Sequence, residues 1–332
     1  MRVPFDELHD TLRRHLVASG MEPDRASLSA RLFAEASRDG LASHGLNRFP
    51  RFMRGIARGI VDVRAQAVRT DAHGALERWD GRGGPGNLNA HDAMSTALEL
   101  ARTHGVGCVA LRNTNHWMRG GSYGWQAADA GLIGMCWTNT LANLPPWGAS
   151  VPLVGNNPLV VAVPRLAGHV VLDMAMSQFS VGALMSYRMR GETLPVDGGY
   201  DLEGRLTRDP AAIEASRRLL PIGFWKGSGL AIVLDLIAAM LSGGSATHEI
   251  STDPEQESDL SQVFLAVDPA LSPASDLDRM ADALVADLHG GDGDVRYPGE
   301  RTLDTRARSL REGVPVDPEI WGQVKAGIWR TT

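Results

Sequence analysis

From about residue 68 onward the chain alternates short β-rich runs with helix-length segments, which limits the architectures open to it. The runs are ALERWD, GVGCVALR, LIGMCWTN, NPLVVAVP, HVVLDMAM and QVFLAVDP, with helices expected near 88–104, 123–130, 177–190, 227–241 and 275–288. Strands interleaved with helices build a helix-covered sheet, an α/β fold. Before residue 68 the pattern is helical. Phe5, Leu8, Leu12 and Leu16 recur at helical spacing ahead of Gly20, and Pro23 opens a second helix, carrying Leu28, Leu32 and Phe33, that stops near Gly40. Asn47 reads as the N-cap of a third helix with Pro50 in its first turn, where a missing N–H costs little. EIWGQVKAGIW reads as a closing helix and HGGDGDVRYPGERT (289–302) as a loop, with no internal repeat.

Composition narrows the function classes. The 332 residues are 43% hydrophobic and 22% charged, ordinary globular values, and a net charge of −6 argues against a nucleic-acid partner, which needs a basic stripe. Arginines 48, 51, 54 and 58 form the only local basic run, at the spacing of a solvated helix face. Cys108 and Cys136 lie in apolar runs and read as buried free thiols. The N-terminus lacks an apolar signal core, and the longest apolar run, GLAIVLDLIAAML, is too short to cross a membrane and carries Asp235. A soluble cytoplasmic protein without a membrane partner is expected. No His/Cys/Asp cluster has metal-ligand spacing, so no metal is expected.

NTNHWMRGGSYGW (113–125) crowds His116, Trp117, Arg119, Trp125 and three glycines where a strand ends. Gly120, Gly121 and Gly124 let backbone approach a ligand closely. Trp117 and Trp125 either wall a pocket or fill the core. Upstream, LASHGLNRF places His44 on a turn just before a helix whose first turn carries Arg48, where dipole and guanidinium both favour an anion. Lys226, between Trp225 and GSG at a helix start, suits phosphates, because a cation at a helix N-terminus is unfavourable without an anion. Asp173 ends a strand, where it can hold a ribose hydroxyl or orient a histidine. The run GRGGPG spaces Gly81, Gly83 and Gly86 like a dinucleotide fingerprint. Against that reading, Pro85 removes a backbone N–H such a turn needs, and Asn87–Ala90 is a poor helix start. A glycine-rich turn is the better reading.

SHGLNRF, NHWMRGGSYGW, GNNPLVVAVP, LDMAMS, TRDP, FWKGSG and YPGER occur in one order from FDEL to IWGQV. In these motifs the chain resembles the type 2 malate/L-lactate dehydrogenase family, whose members reduce 2-keto acids or imines with a nicotinamide cofactor. The resemblance implies a non-Rossmann mixed-sheet core with helices on both faces, plus a helical layer from the two termini. Residues 1–70 with 303–332 would form that substrate-side layer and 71–302 the nicotinamide-binding core, in a homodimer. It places NADH or NADPH near His169, Val170, Val171, Leu172, Asp173, Met174 and Ala175, the pair Trp225–Lys226, and Gly299, Glu300 and Arg301. It makes His44 the proton donor and sets His116 close to the substrate. His169 and Arg301 are polar departures in cofactor-side segments, and Arg301 can recruit a 2′-phosphate, so NADH and NADPH both stay open.

Reducing a keto group needs a hydride on one face and a proton for the developing alkoxide, and a histidine is the natural donor near neutral pH. For His116 the alternatives are polarising the carbonyl, donating the proton, or orienting substrate hydroxyls; the residues alone do not rank it against His44. Arg48 suits the substrate carboxylate, and Arg119 can meet the polar far end of a longer acid. Simple malate and lactate reducers of the family tend to lack the tryptophan pair, so a sugar acid with a hydroxylated tail fits best. Malate, lactate, ureidoglycolate or a cyclic imine is the second expectation. A binding module without catalysis is disfavoured by the joint retention of His44, Arg48, His116, Asp173 and Lys226.

Overall fold

The computed structural model describes residues 1–271 and 276–329. β1 (Arg2–Val3) leads into α1 (Phe5–Ala18) and α2 (Pro23–Arg38). Leu8, Leu12 and Leu16 fall one turn apart on α1 and are all buried. Two 3-10 turns, Ala42–His44 and Leu46–Arg48, separate α2 from α3 (Phe49–Ala57). Asn47 therefore lies within a turn and does not cap α3, which opens after Arg48 with Pro50 in its first turn. Gly45 lets the His44 turn press onto α2: a Cβ there would strike Ser37 Oγ and the Phe33 carbonyl.

The sheet region follows as β2 (Val68–His73), β3 (Leu76–Asp80), α4 (Gly86–His104), β4 (Val106–Thr114), α5 (Gly121–Asp129), β5 (Ile133–Thr138), β6 (Leu159–Val163) and β7 (Val170–Met174). Then come α6 (Val181–Met189), a short ladder of β8 (Gly199–Tyr200) and β9 (Leu206–Thr207), α7 (Pro210–Ser216), α8 (Trp225–Ser242) and β10 (Leu260–Val267). α9 (Leu277–Gly290), α10 (Glu300–Glu312), β11 (Val314–Pro315) and α11 (Pro318–Ala326) close the chain. The fold is mixed α/β. One sheet runs in the order β2-β3-β4-β10-β5-β6-β7, with β3 and β4 parallel and the other neighbours antiparallel. β10 inserts centrally, setting Leu260 opposite Thr114 and Gln262 opposite Thr138. One end of the sheet thus gathers the segments after β4, after β5 and before β10.

Strand alternation distributes the core. Val109, Leu111 and Phe264 face α4 and α5, packing with Met94, Ala97 and Tyr123, while Ala110 and Val263 face α8, packing with Ala231, Leu234 and Ala238. A third cluster joins α1, α2, α3 and α11 around Phe33, Phe49 and Trp321, with Leu88 and Met118 reaching in from the sheet region. Both cysteines are free, Cys136 buried and Cys108 half-buried. The expected loop 289–302 contains the start of α10, so Glu300 and Arg301 are in a helix's first turn. α4 begins at Gly86, earlier than expected, because the asparagines that looked unfavourable are buried and bonded: Asn87 donates to Ser29 Oγ, and Asn89 to Thr114 Oγ1 and the Gly81 carbonyl.

Candidate active site

The two 3-10 turns carry His44 and Arg48 to the loop after β4, which carries His116. The imidazoles of His44 and His116 stack, with centroids 5.9 Å apart and planes at 22°. Ser43 Oγ lies 3.1 Å from His44 Nδ1. The Met118 backbone N–H donates to His116 Nδ1 at 3.0 Å, in a loop that bends back through a left-handed Met118 (φ 66°). An amide can only donate, so His116 Nδ1 carries a lone pair and the neutral ring bears its proton on Nε2. Burial, then the cations of Arg48 and Arg119, pull His44 down to about 4. Burial, then Arg48, His44 and Arg51, hold His116 well below the ordinary histidine value. Arg48 Nη2 donates to Glu257 Oε2 at 3.3 Å. Burial and Arg51 lower Arg48 to about 10, which leaves it a cation at neutral pH.

Arg119 does not open onto a pocket. Its side chain is 5% exposed, and Nη1 donates to Asp39 at 2.6 Å. The same carboxylate accepts from Arg306 at 3.0 and 2.7 Å and from Arg38 at 2.8 Å. Burial alone would raise Asp39, but the three guanidiniums outweigh it and hold the carboxyl far below its usual range. The expected contact of Arg119 with a substrate tail is replaced by this buried ion cluster. Trp117 is likewise core, 2% exposed and packed on Tyr123 and Phe264, and Trp125 lies under the Arg306 guanidinium at 4.4 Å. Neither tryptophan walls an open pocket.

The segments expected to hold the cofactor converge on β7, the last strand of the sheet. At one end the Val171 N–H donates to Pro298 O at 2.8 Å, which brings Gly299 alongside; a Cβ on Gly299 (φ 99°) would stand 3.1 Å from Val171 N. At the other end the Ile222 N–H donates to Met176 O at 2.9 Å, and Ser177 bridges Pro221, which sets the start of α8 beside the strand. Trp225, Lys226 and Arg301 are exposed. Asp173 Oδ2 accepts from the Gly121 N–H at 2.8 Å, so the loop of His116 and Arg119 is pinned to β7. Although Asp173 keeps an exposed face, desolvation by the protein around its carboxyl raises its pKa against the pull of Arg119. His169 and Glu300 have local partners: His169 pairs with the Arg165 N–H and Asp129, and Glu300 with the Tyr297 N–H and His289.

The glycine run serves packing. A Cβ on Gly81 would lie 2.9 Å from Asn113 O, and one on Gly86 would strike the carbonyls of Asn115 and His116. Asn115 Nδ2 donates to Gly83 O at 2.8 Å and Gly84 O at 2.9 Å. The turn's carbonyls are therefore spent on the His116 loop.

A model of the malate/L-lactate dehydrogenase family matches residues 3–325. The chain belongs to this family. It is 45% identical to a 2,3-diketo-L-gulonate reductase of Escherichia coli, with 98% of this chain and 100% of that protein covered. The solved structure of delta1-piperideine-2-carboxylate reductase from Pseudomonas syringae superposes with a TM-score of 0.89 at 32% identity, covering 98% of this chain and 99% of that one. Sulfolactate dehydrogenase from Methanocaldococcus jannaschii superposes with a TM-score of 0.90 at 25% identity, covering 98% and 96%. The chain is thus an oxidoreductase of a family acting on 2-hydroxy and 2-keto acids. Three residues that shape its site carry no local sequence signal. Asp39, Glu257 and Arg306 act across 80, 209 and 267 residues, through pairings that only the fold creates.

Proposed function

We propose that the protein reduces a hydroxylated 2-keto sugar acid with NADH or NADPH, the reaction best supported being 2,3-diketo-L-gulonate to 3-keto-L-gulonate. The observation that carries this is the stacked His44–His116 pair beside Arg48, in a chain 45% identical over its length to a 2,3-diketo-L-gulonate reductase. Arg48 takes the substrate carboxylate. His116, its Nδ1 already engaged, offers Nε2–H to the keto oxygen and polarises it while staying neutral. His44 gives the proton to the oxygen as charge develops there. The carboxylate of an arriving substrate offsets the field of Arg48, which makes His44 easier to protonate once substrate is bound.

The outer edge of β7 fits a dinucleotide. The Val171 N–H points outward and is taken by the Pro298 carbonyl, and by strand alternation the backbone groups of Asp173 point outward too. Gly299 lacks the Cβ that would crowd that edge, and Lys226 is exposed at the N-terminus of an 18-residue helix, where phosphate is favoured. His169–Ala175, Trp225, Lys226 and Gly299–Arg301 would hold the cofactor, which supplies the hydride when bound. The exposed Arg301 is the group positioned to meet a 2′-phosphate. We read residues 1–70 with 303–332 as the substrate-side layer and 71–302 as the cofactor core, a non-Rossmann arrangement supported by its largely antiparallel sheet. We propose that the protein acts in the cytoplasm as a homodimer; the dimer is supported by an exposed apolar row on α8: Trp225, Ile232, Val233, Leu236 and Met240.

A smaller keto acid or cyclic imine is the second reading, favoured by the burial of Arg119 and Trp117, which removes an expected tail contact and a candidate pocket wall. Following NADH and NADPH absorbance with keto acids of increasing length separates the two. Pyruvate and oxaloacetate should fall at least about tenfold below 2,3-diketo-L-gulonate in kcat/KM, the effect of one or more unmade hydrogen bonds. Comparable values would sink the sugar-acid assignment and leave the broader family activity.

A further inference from the structure

The guanidinium assigned to the substrate carboxylate is itself held by a carboxylate. Glu257, 8% exposed, takes Arg48 Nη2 at 3.3 Å and lies 3.7 Å from Arg51 Nη2. Its neighbour Glu255 serves the outer arginines, with Arg51, Arg54 and Arg58 at 3.6, 3.1 and 3.7 Å. The two acids are thus sorted: the half-buried one latches the helix, and the less exposed one meets Arg48. Among the described residues Arg48 makes no other hydrogen bond, so most of its fork has no protein partner. Glu257 is fixed in turn by the sheet. Three residues on, Leu260 opens β10 opposite Thr114, at the end of the strand whose loop carries His116.

We propose that Glu257 is a positioning residue that holds Arg48 by one nitrogen and presents the rest of the fork to the substrate carboxylate beside His44 and His116. This deepens the reductase reading and rests on its assignment of Arg48. Two effects oppose. The charge of Glu257 repels an anionic substrate, but Arg48 and Arg51 leave the group net positive. Without Glu257 the two guanidiniums repel, Arg48 regains its many rotamers, and Glu255 competes for it. Orientation wins because a bidentate contact needs the fork coplanar with the carboxylate.

The test uses the full-length, cofactor-saturated protein with Glu257→Gln, Glu257→Asp and, for comparison, Glu255→Gln. Oxalate binding is measured by calorimetry, and reduction is followed for a 2-keto acid and for its methyl ester. Glu257→Gln should weaken oxalate about tenfold or more and raise KM for the acid similarly, the scale of one lost charged hydrogen bond. Its kcat should stay within about threefold, KM for the ester should be unchanged because the ester offers Arg48 no carboxylate, and Glu257→Asp should restore part of the loss. If the Gln variant does not fold, the Asp variant gives the same comparison of acid and ester. Oxalate binding that is unchanged or tighter in the variant overturns the proposal, as does an equal loss on acid and ester, or a wild-type protein that binds no oxalate. Glu257-dependent oxalate binding in a protein that reduces no keto acid would sink the reductase reading and leave the positioning role standing.

Discussion

His44 and His116 are alike in sequence and unlike in wiring. The Met118 N–H on Nδ1 makes His116 a neutral Nε2–H donor, and protonating that ring at Nδ1 would break the bond. Among the described residues His44 has only a serine hydroxyl as a hydrogen-bond partner, which can donate or accept, so it can cycle through both charge states. His44→Gln should therefore lower turnover by about 10²–10⁴-fold. His116→Gln, which keeps a neutral N–H donor, should retain clearly more activity. Reversed magnitudes in steady-state assays would exchange the two roles. The pH dependence follows the same logic. With His44 lowered to about 4, the free protein at neutral pH holds it as a base ready for the oxidative direction. In that direction kcat/KM should rise with pH through about 4 and be level near neutrality, whereas in reduction kcat/KM should fall as pH climbs above that value. An oxidative limb centred near 6.5 would show that the cations around His44 do not depress it. At this scale His44, Arg48 and His116 were legible as short motifs. The difference between the two imidazoles was not, because it lies in a backbone N–H two residues from one ring.

Elements are where distant residues meet, and two substitutions expose that. Asp39 follows α2 and holds guanidiniums from α2, the His116 loop and α10 with a fully buried carboxylate. Asp39→Asn leaves those cations uncompensated and should cost about 3–5 kcal/mol in urea unfolding, the usual penalty for breaking a buried ion pair. A loss below 1 kcal/mol would mean that water screens the cluster. Gly86→Ala drives a Cβ into the Asn115 and His116 carbonyls and should cost roughly 1–3 kcal/mol by overpacking, with nicotinamide affinity of the folded protein unchanged in fluorescence titrations. Lost affinity without lost stability would restore the glycine run as a phosphate cradle. The strands were readable because β-branched runs between turn residues have few alternatives. The start of α10 was hidden by a Gly- and Asp-rich stretch, and α7 is only seven residues long, too short for periodicity to declare it. Arg119 illustrates the limit most directly: its motif places it at the site, but its partner Asp39 lies 80 residues away, and that pairing changes it from a tail reader to a strut.

At the scale of the whole molecule α8 is left incompletely covered, with more exposed large apolar side chains than α6 or α9. α8 is apolar and long enough by composition to cross a membrane, yet 39% of it is buried on the sheet. Its Asp235 accepts from Asn139 Nδ2 at 2.9 Å and the Thr247 N–H at 3.1 Å, which ties that face to the core. The opposite row runs through Trp225, Ile232, Val233, Leu236 and Met240, with Met240 76% exposed. A contiguous apolar row of this kind marks a surface that another body covers. A second copy meets it most simply, since a two-fold axis across the helix matches the row with itself. The row begins at Trp225, beside Lys226, so the same contact would shield one wall of the proposed cofactor edge. Sedimentation velocity at micromolar concentration should give twice the 35.7 kDa chain mass. The double variant Val233→Glu, Leu236→Glu should sediment as a monomer, with weaker cofactor binding but an intact His44–His116 region. A wild-type monomer that is fully active would remove the dimer. A wild-type monomer that binds phosphatidylcholine vesicles would assign the row to a lipid surface instead.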